Sequence, residues 1–383
     1  VIFLEIYVVR AGDTLTSIGE IFNISARTLS AVNEIPLSQG LVVGQTVVIP
    51  SEERARLRSI TVSGYAYPFI SVPLLRSVLP FNTYLIPFTY GITPSGGLVD
   101  LNDETLLALA REYDTSALMH LSTLTEEGGF DSALADIVLN NDDARQNLIQ
   151  NVISVIEEKG YSGIDVDFEF IPARNAAAYA DFIAELRELL NPTGKTVAVA
   201  LAPKTSADQP GLLYEGHDYA LLGAAADNVL LMTYEWGYTY GPPLAVAPIE
   251  NVRAVIEYAL TEIPPEKIYL GIPNYGYDWT LPYVQGESRA QSISNVEAVD
   301  IARENGVEIL FDESSQSPYF NYTASDGARH EVHFEDARSI AAKLSLISEY
   351  SLFGAGYWNL MRPFPQNWAV LSEMFDIKNV EIM

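Results

Sequence analysis

Cysteine is absent from the 383-residue chain. That excludes a disulfide framework, a thiolate zinc site and a thiol nucleophile. Histidine is scarce, with four in all, which speaks against a histidine-based metal site. We expect no metal and no cofactor. Basic residues are few: 22 Lys and Arg stand against 50 Asp and Glu, a net charge of −28. Nucleic acid and anionic membranes repel such a surface, so neither is expected as a partner. Neutral sugars are compatible with it. No apolar run reaches membrane-spanning length. The apolar start, Val1 to Val9, lacks a basic leader and a small-residue cleavage site, and Glu5 interrupts it. It reads as a first strand, with no export signal in this chain.

Apolar residues make up 48% of the chain, enough for a large core. The most informative run is Gly163-Ile164-Asp165-Val166-Asp167-Phe168-Glu169. Alternate residues of a strand share a face. Asp165, Asp167 and Glu169 therefore share one face, and Ile164, Val166 and Phe168 the other. Crowding like charges on an otherwise apolar strand keeps a carboxyl protonated near neutral pH.

Residues 1 to about 50 form a closed unit. An alternating run, Ile6 to Val9, meets a turn at Ala11-Gly12-Asp13. Two short helical patterns follow. Asp13 or Thr14 opens the first and Ser25 the second. A last strand, Thr46 to Ile49, ends at Pro50. This βααβ order, with Tyr7 to Leu15, Ile18, Asn33 and Gly44 to Pro50, resembles the LysM carbohydrate-binding module. The resemblance implies binding of N-acetylglucosamine-containing glycans by the loop holding Gly12, Asp13 and Thr14, and by the loop after Asn33. Residues 51–59 are charged, lack apolar periodicity and read as a linker.

From residue 60 to 383 short apolar strands alternate with helical patterns. The strands are expected at Ser59–Tyr65, Tyr84–Phe88, Ala117–Leu121, Gly163–Glu169, Thr196–Ala202, Asn228–Thr233, Ile268–Pro273 and Gly354–Trp358. Helices are expected between them, as at Asn147–Glu158, Ala176–Leu190 and Ile249–Leu260. Eight such units make an α/β fold of the (β/α)8 TIM-barrel type. The stretch between strands seven and eight is too long for one helix. Residues about 283–340 read as a small α+β insertion walling a cleft, with a helix at Val296–Asn305, strand-like runs at Val307–Phe311 and His330–Phe334 around a polar turn, and a helix from Glu335.

Barrel active sites sit at the C-terminal ends of the strands. Glu169 ends strand four and is the natural general acid, with Asp167 as proton partner and Asp165 deeper. A glycosidase usually needs a second carboxylate across the sugar ring. A residue two along the same strand approaches from the same side as the acid. The nucleophile must then come from another strand, or from the acetamido oxygen of a 2-acetamido sugar.

Here the chain resembles family 18 glycoside hydrolases, whose strand-four signature is Asp-Gly-x-Asp-x-Asp-x-Glu. Ser162 replaces the first acid. The resemblance implies that Glu169 is acid and then base, that Asp167 orients the acetamido nitrogen and that Asp165 buffers Asp167. Tyr234 would bond the acetamido oxygen, and Glu235 stands where the family has Asp. Trp358 would floor the reacting sugar. The family's Ser-x-Gly-Gly after strand three is missing; the run here is Ala117-Leu118-Met119-His120-Leu121-Ser122. Trp279, Tyr65 and Tyr275 are further candidates for substrate contact. Of Tyr275 and Tyr277, alternation after a strand places one inward. His120 and His217 read as hydrogen-bonding scaffold. Arg362 either touches substrate or pairs with the acidic surface.

Several runs, among them Ala202-Pro203-Lys204-Thr205-Ser206, Tyr275-Gly276-Tyr277-Asp278-Trp279 and Pro363 to Trp368, resemble the LysM-bearing spore-germination hydrolases of endospore-forming bacteria. That resemblance implies an N-acetylglucosaminidase acting on peptidoglycan, in cortex fragments of the spore, and a place in the spore coat, cortex or cell wall. The rival expectations are a chitinase and a non-catalytic wall-binding coat protein.

Overall fold

The computed structural model describes residues 4–51 and 58–380. The N-terminal unit pairs Glu5–Val8 antiparallel with Thr46–Ile49. Helices Leu15–Phe22 and Ala26–Asn33 lie between these strands. Thr14 and Ser17 cap the first helix reciprocally, and Ser25 caps the second. Leu15, Ile18, Leu29, Val47 and Ile49 form the small core.

The second unit is a parallel barrel. Its strands are one (Arg58–Ala66), two (Tyr84–Pro87), three (Met119–Ser122), four (Gly163–Asp167), five (Thr196–Leu201), six (Asn228–Leu231), seven (Ile268–Pro273) and eight (Gly354–Trp358). Strand eight pairs with strand one. Ser116–Ala117, just ahead of strand three, pairs with strand two, while strand three itself pairs with strand four. The third strand is thus split at Leu118, and the circle closes through it. Helices such as Asp142–Lys159, Ala176–Leu190 and Ile249–Glu262 cover the outside.

Three expectations need correction. Arg58 and Ser59 already belong to strand one, so the linker stops short of 59; residues 52–57 lie outside the described residues. Strand four ends at Asp167, and Glu169 lies beyond it. The insertion is larger than expected. It is a five-stranded antiparallel sheet that starts at Gly276, with the order Gln291–Ile293, Gly276–Leu281, Arg329–His333, Ser317–Thr323, Leu310–Asp312. Gly276–Leu281 follows strand seven so closely that the two read as one apolar run. Ser317–Thr323 was hidden by Pro318 and its polar neighbours, although Phe320 is buried against the insertion helix Asn295–Glu304.

The N-terminal module docks on this insertion and on the segment after strand eight. Gln366 Nε2 donates to Asn33 Oδ1 at 3.0 Å and to the Thr46 carbonyl at 2.6 Å. Ile309 N–H donates to Val43 O at 2.9 Å, and Arg303 to Gly40 O at 3.0 Å. Gly44 permits the close approach: its φ is +85°, and a Cβ there would stand 1.8 Å from Ile309 O.

Asn33, expected to touch glycan, is 3% exposed and bound inside the protein. Its amide donates to Leu29 O and Val48 O, and its Oδ1 accepts from Val48 N–H at 2.7 Å as well as from Gln366. Asn33→Ala should therefore destabilise the module by about 2–3 kcal/mol, the cost of stranding buried polar groups. Hydrogen exchange should show the loss at residues 5–49 with barrel amides unchanged. Unaltered protection in the module would contradict the assignment.

Candidate active site

Strand four carries its acids inward because its apolar residues are claimed by the outer layer. Ile164, Val166 and Phe168 are fully buried. Phe168 stacks on Tyr179 and Phe182 at 5.6 and 5.8 Å between ring centroids. Asp165 is 1% exposed and accepts the Tyr65 hydroxyl at 2.8 Å. Asp167 sits one pleat higher. Glu169 stands past the strand end and is half-buried. The backbone then turns through Phe170 in the left-handed region, φ +56°.

A cavity of about 520 Å³ opens over the row. Asp167, Glu169, Tyr234, Glu235 and Trp358 line it, with Tyr67, Phe88, Phe130, Tyr214 and Trp236. Tyr67 and Phe88 extend the aromatic wall from Trp358, with centroids 6.2 and 4.9 Å from it. These wall residues went unnamed or unplaced at the sequence level. The signal was there, because Tyr67 and Phe88 come directly after the ends of strands one and two.

Burial dominates the electrostatics. It raises Asp165 to about 6, against the Tyr65 hydrogen bond, which pulls the other way. Burial, then the charges of Glu169 and Asp165, holds Asp167 well above the usual carboxylate range. Burial and the charge of Glu235 raise Glu169. Burial also keeps the Tyr234 phenol protonated, so it remains a donor. A carboxyl that holds its proton more tightly than usual while facing an open cavity is fitted to be a general acid.

Glu235 departs from expectation. Its backbone is left-handed, φ +68°, at the open mouth. Both Tyr275 and Tyr277 donate to its Oε1, at 2.5 and 3.0 Å. The expectation of one inward tyrosine fails because residues two apart in an extended chain share a face, so Tyr275 and Tyr277 point the same way. The chain has bent into the insertion sheet, and its phenols converge on one carboxylate.

Other candidates take structural places. Trp279 is 1% exposed, donates Nε1–H to Gly241 O at 2.8 Å and does not line the cavity. Tyr65 is buried and serves Asp165, and Tyr275 serves Glu235; neither lines the cavity. His217 accepts Ala202 N–H and bonds Phe168 O, a scaffold role. Arg362 donates to Ser292 Oγ and Ile293 O, tying the insertion's edge to the barrel. In the module, Asp13 accepts from Tyr7 and from Arg10 N–H, and Thr14 caps its helix, so both side chains are engaged internally, while Gly12 is exposed. Among the described residues no group of three His, Asp or Glu is arranged to hold a metal ion.

Comparison with known proteins gives the family. Residues 96–362 match "Glycosyl hydrolases family 18", and residues 7–50 match "LysM domain". The chain is 42% identical to the cortical fragment-lytic enzyme of Bacillus subtilis, over 98% of this chain and 99% of that protein. It superposes on the crystal structure of the Bacillus cereus spore cortex-lytic enzyme SleL with a TM-score of 0.82 and 36% identity, covering 98% of this chain and 87% of the other. A sporulation-specific glycosylase of B. subtilis, named YdhD and described as putative, is 32% identical over 98% of this chain and 89% of its own length. The chain belongs to glycosyl hydrolase family 18, carries an N-terminal LysM domain and is a glycosidase.

The buried acid row destabilises the fold. A carboxyl whose folded value lies above its unfolded one favours the folded state when protonated. The fold therefore loses stability as pH rises from about 4 through about 6, by about 3 kcal/mol for Asp165. Asp165→Asn removes that loss and keeps an acceptor for Tyr65. Urea unfolding should find the variant more stable by about 2–3 kcal/mol at pH 7.5 and nearly unchanged near pH 4. An equal gain at both would contradict the cause.

Proposed function

We propose that this glycosidase cleaves the β-1,4 bond after N-acetylglucosamine in bacterial peptidoglycan, in cortex fragments of the spore, with retention and with the substrate's own acetamide as nucleophile. The observation that carries the reading is the row Asp165, Asp167, Glu169, rising from a sealed core to an aromatic-walled cavity. Glu169 protonates the leaving oxygen. The acetamido oxygen attacks the anomeric carbon and forms an oxazolinium ion. Asp167 accepts the acetamido N–H, and Tyr234 donates to the acetamido oxygen. Glu169, now a carboxylate, then takes a proton from the water that opens the ring. Stabilising the charge that develops on the acetamide supplies much of the rate. Trp358 gives the apolar sugar face an aromatic floor.

The names of the relatives, cortical fragment-lytic enzyme and spore cortex-lytic enzyme, support the choice of polymer. The LysM domain supports a place on the wall or spore. By binding the same glycan it raises the local concentration of cleavable bonds.

Glu235 is the alternative nucleophile, since it comes from another strand and faces Glu169. Burial raises Glu235, with the Tyr275 and Tyr277 hydrogen bonds pulling the other way, and two phenols on one oxygen leave it a weaker nucleophile. The two readings separate on a substrate whose sugar lacks the 2-acetamido group. Substrate assistance predicts no measurable cleavage; a Glu235 nucleophile predicts retained cleavage.

Glu169→Gln should fold, bind glycan and lose about a thousand-fold in kcat, the scale of a general acid. Mass spectrometry of products from cortex fragments should show new reducing-end N-acetylglucosamine. Reducing-end muramic acid would overturn the bond assignment, and faster cleavage of chitin oligomers would overturn the polymer.

A further inference from the structure

The row of acids does not end at Asp165. Strand three pairs with strand four so that His120 lies beside Asp165 and Ser122 beside Asp167. His120 is fully buried. Its Nε2 stands 3.5 Å from Asp165 Oδ2 and 3.9 Å from Asp167 Oδ2. That nitrogen has no hydrogen-bond partner among the described residues, and neither does Asp167 Oδ1. An unpartnered ring nitrogen and an unpartnered carboxyl oxygen, both buried at the base of a proton-carrying site, call for a reason.

The other side of the ring fixes which atom holds its proton. Nδ1 is 2.6 Å from Thr89 Oγ. The Thr89 hydroxyl donates to the Tyr90 carbonyl or to Ser122 Oγ, each at 2.9 Å. With its hydrogen so placed, Thr89 Oγ accepts from Nδ1–H. A neutral imidazole carries one ring hydrogen, so Nε2 presents a lone pair to the acids. Burial makes the ring hard to protonate, with its value pushed down to about 3. The titratable groups facing it are Asp165 and Asp167 on strand four and Tyr65 on strand one. Tyr65 meets the ring edge-on at 5.5 Å, and its phenol is raised well above its usual range and stays neutral. Phe88 covers the ring at 4.7 Å.

We infer that His120 is a positioning residue of the reaction: its uncharged Nε2 accepts the proton shared by Asp165 and Asp167 as a hydrogen bond, and so retains one proton at the inner end of the row while Glu169 gives and regains another. A lysine or arginine here would stabilise both aspartates as anions and strip the row of that proton. An apolar residue would leave the shared proton with no acceptor beneath it. A hydrogen bond to the protonated form raises a carboxyl's pKa, so removing the acceptor lowers it. The row then loses its proton at lower pH. The inference rests on the glycosidase reading above.

The test compares His120→Leu, which removes the acceptor, with His120→Gln, whose Oε1 reaches the place of Nε2. Both are assayed in the full chain on a soluble N-acetylglucosaminide across pH, with melting temperatures measured in parallel and Glu169→Gln as control. The Leu variant should lose about ten- to a hundred-fold in kcat with KM within about two-fold, at or below the low end of a general acid–base contribution because the residue acts through the acids. The alkaline limb of its kcat/KM profile should move down by about half a unit or more, and Gln should restore much of both. An unshifted profile in a folded Leu variant, or equal losses in both variants tracking lowered melting temperatures, would overturn the inference. Retained turnover in Glu169→Gln would instead sink the glycosidase assignment of the row, whatever His120 does.

Discussion

A carboxyl group gives up its proton readily in water, and this fold is organised to prevent that. Three acids on one strand face, one of them sealed and one nearly so, cannot all ionise without charges in contact in a dry interior. The surrounding elements serve that condition. The outer helices take the apolar face of strand four, which fixes the acids inward. Tyr65 gives Asp165 one donor, enough to hold its orientation without forcing it to ionise. His120 closes the bottom of the row without bringing a charge. The result is a proton store whose outermost member meets substrate.

The mouth is built on a different principle. The barrel supplies Glu169, Tyr234 and Trp358 from the ends of strands four, six and eight. Tyr275, at the entry to the insertion, and Tyr277 within it supply two phenols, which hold Glu235 in a left-handed backbone conformation that costs about 1–3 kcal/mol unless its surroundings over-determine it. A carboxylate held by neutral donors keeps more of its negative character than one paired with a cation. That negative charge bears on Glu169 and helps keep it protonated. The insertion is therefore part of the electrostatics of the site as well as a wall of its cleft.

Much of this was legible in the sequence. Period-two alternation placed the acid row on one face, and the spacing of apolar runs located all eight barrel strands. What escaped has physical causes. Gly276–Leu281 abuts strand seven, and only pairing with Arg329–His333 shows that the chain has turned. Trp279 promises a sugar platform by its type, but the fate of an aromatic depends on which sheet it joins. Asn33 lies where a glycan loop was expected, and its neighbour Gln366 is 333 positions away in the chain. His120 read as scaffold because nothing local reveals that strand three registers it against Asp165.

The module is held in a way that bears on how the enzyme meets its polymer. A binding domain on a free tether raises local concentration over a sphere set by tether length. Here the LysM unit is hydrogen-bonded to the insertion through Val43 and Gly40, and to the segment after strand eight through Gln366. The insertion also delivers the Tyr277 phenol of the Glu235 clamp, and the second segment follows directly on Trp358. A docked module presents glycan at a fixed distance and angle from the cleft, so its gain is orientational as well as concentrative. Such an arrangement favours bonds at a set spacing along a strand over bonds chosen at random. On the proposed function, the lengths of fragments released from long glycan strands would carry that signature, in a way that turnover of small soluble substrates would not.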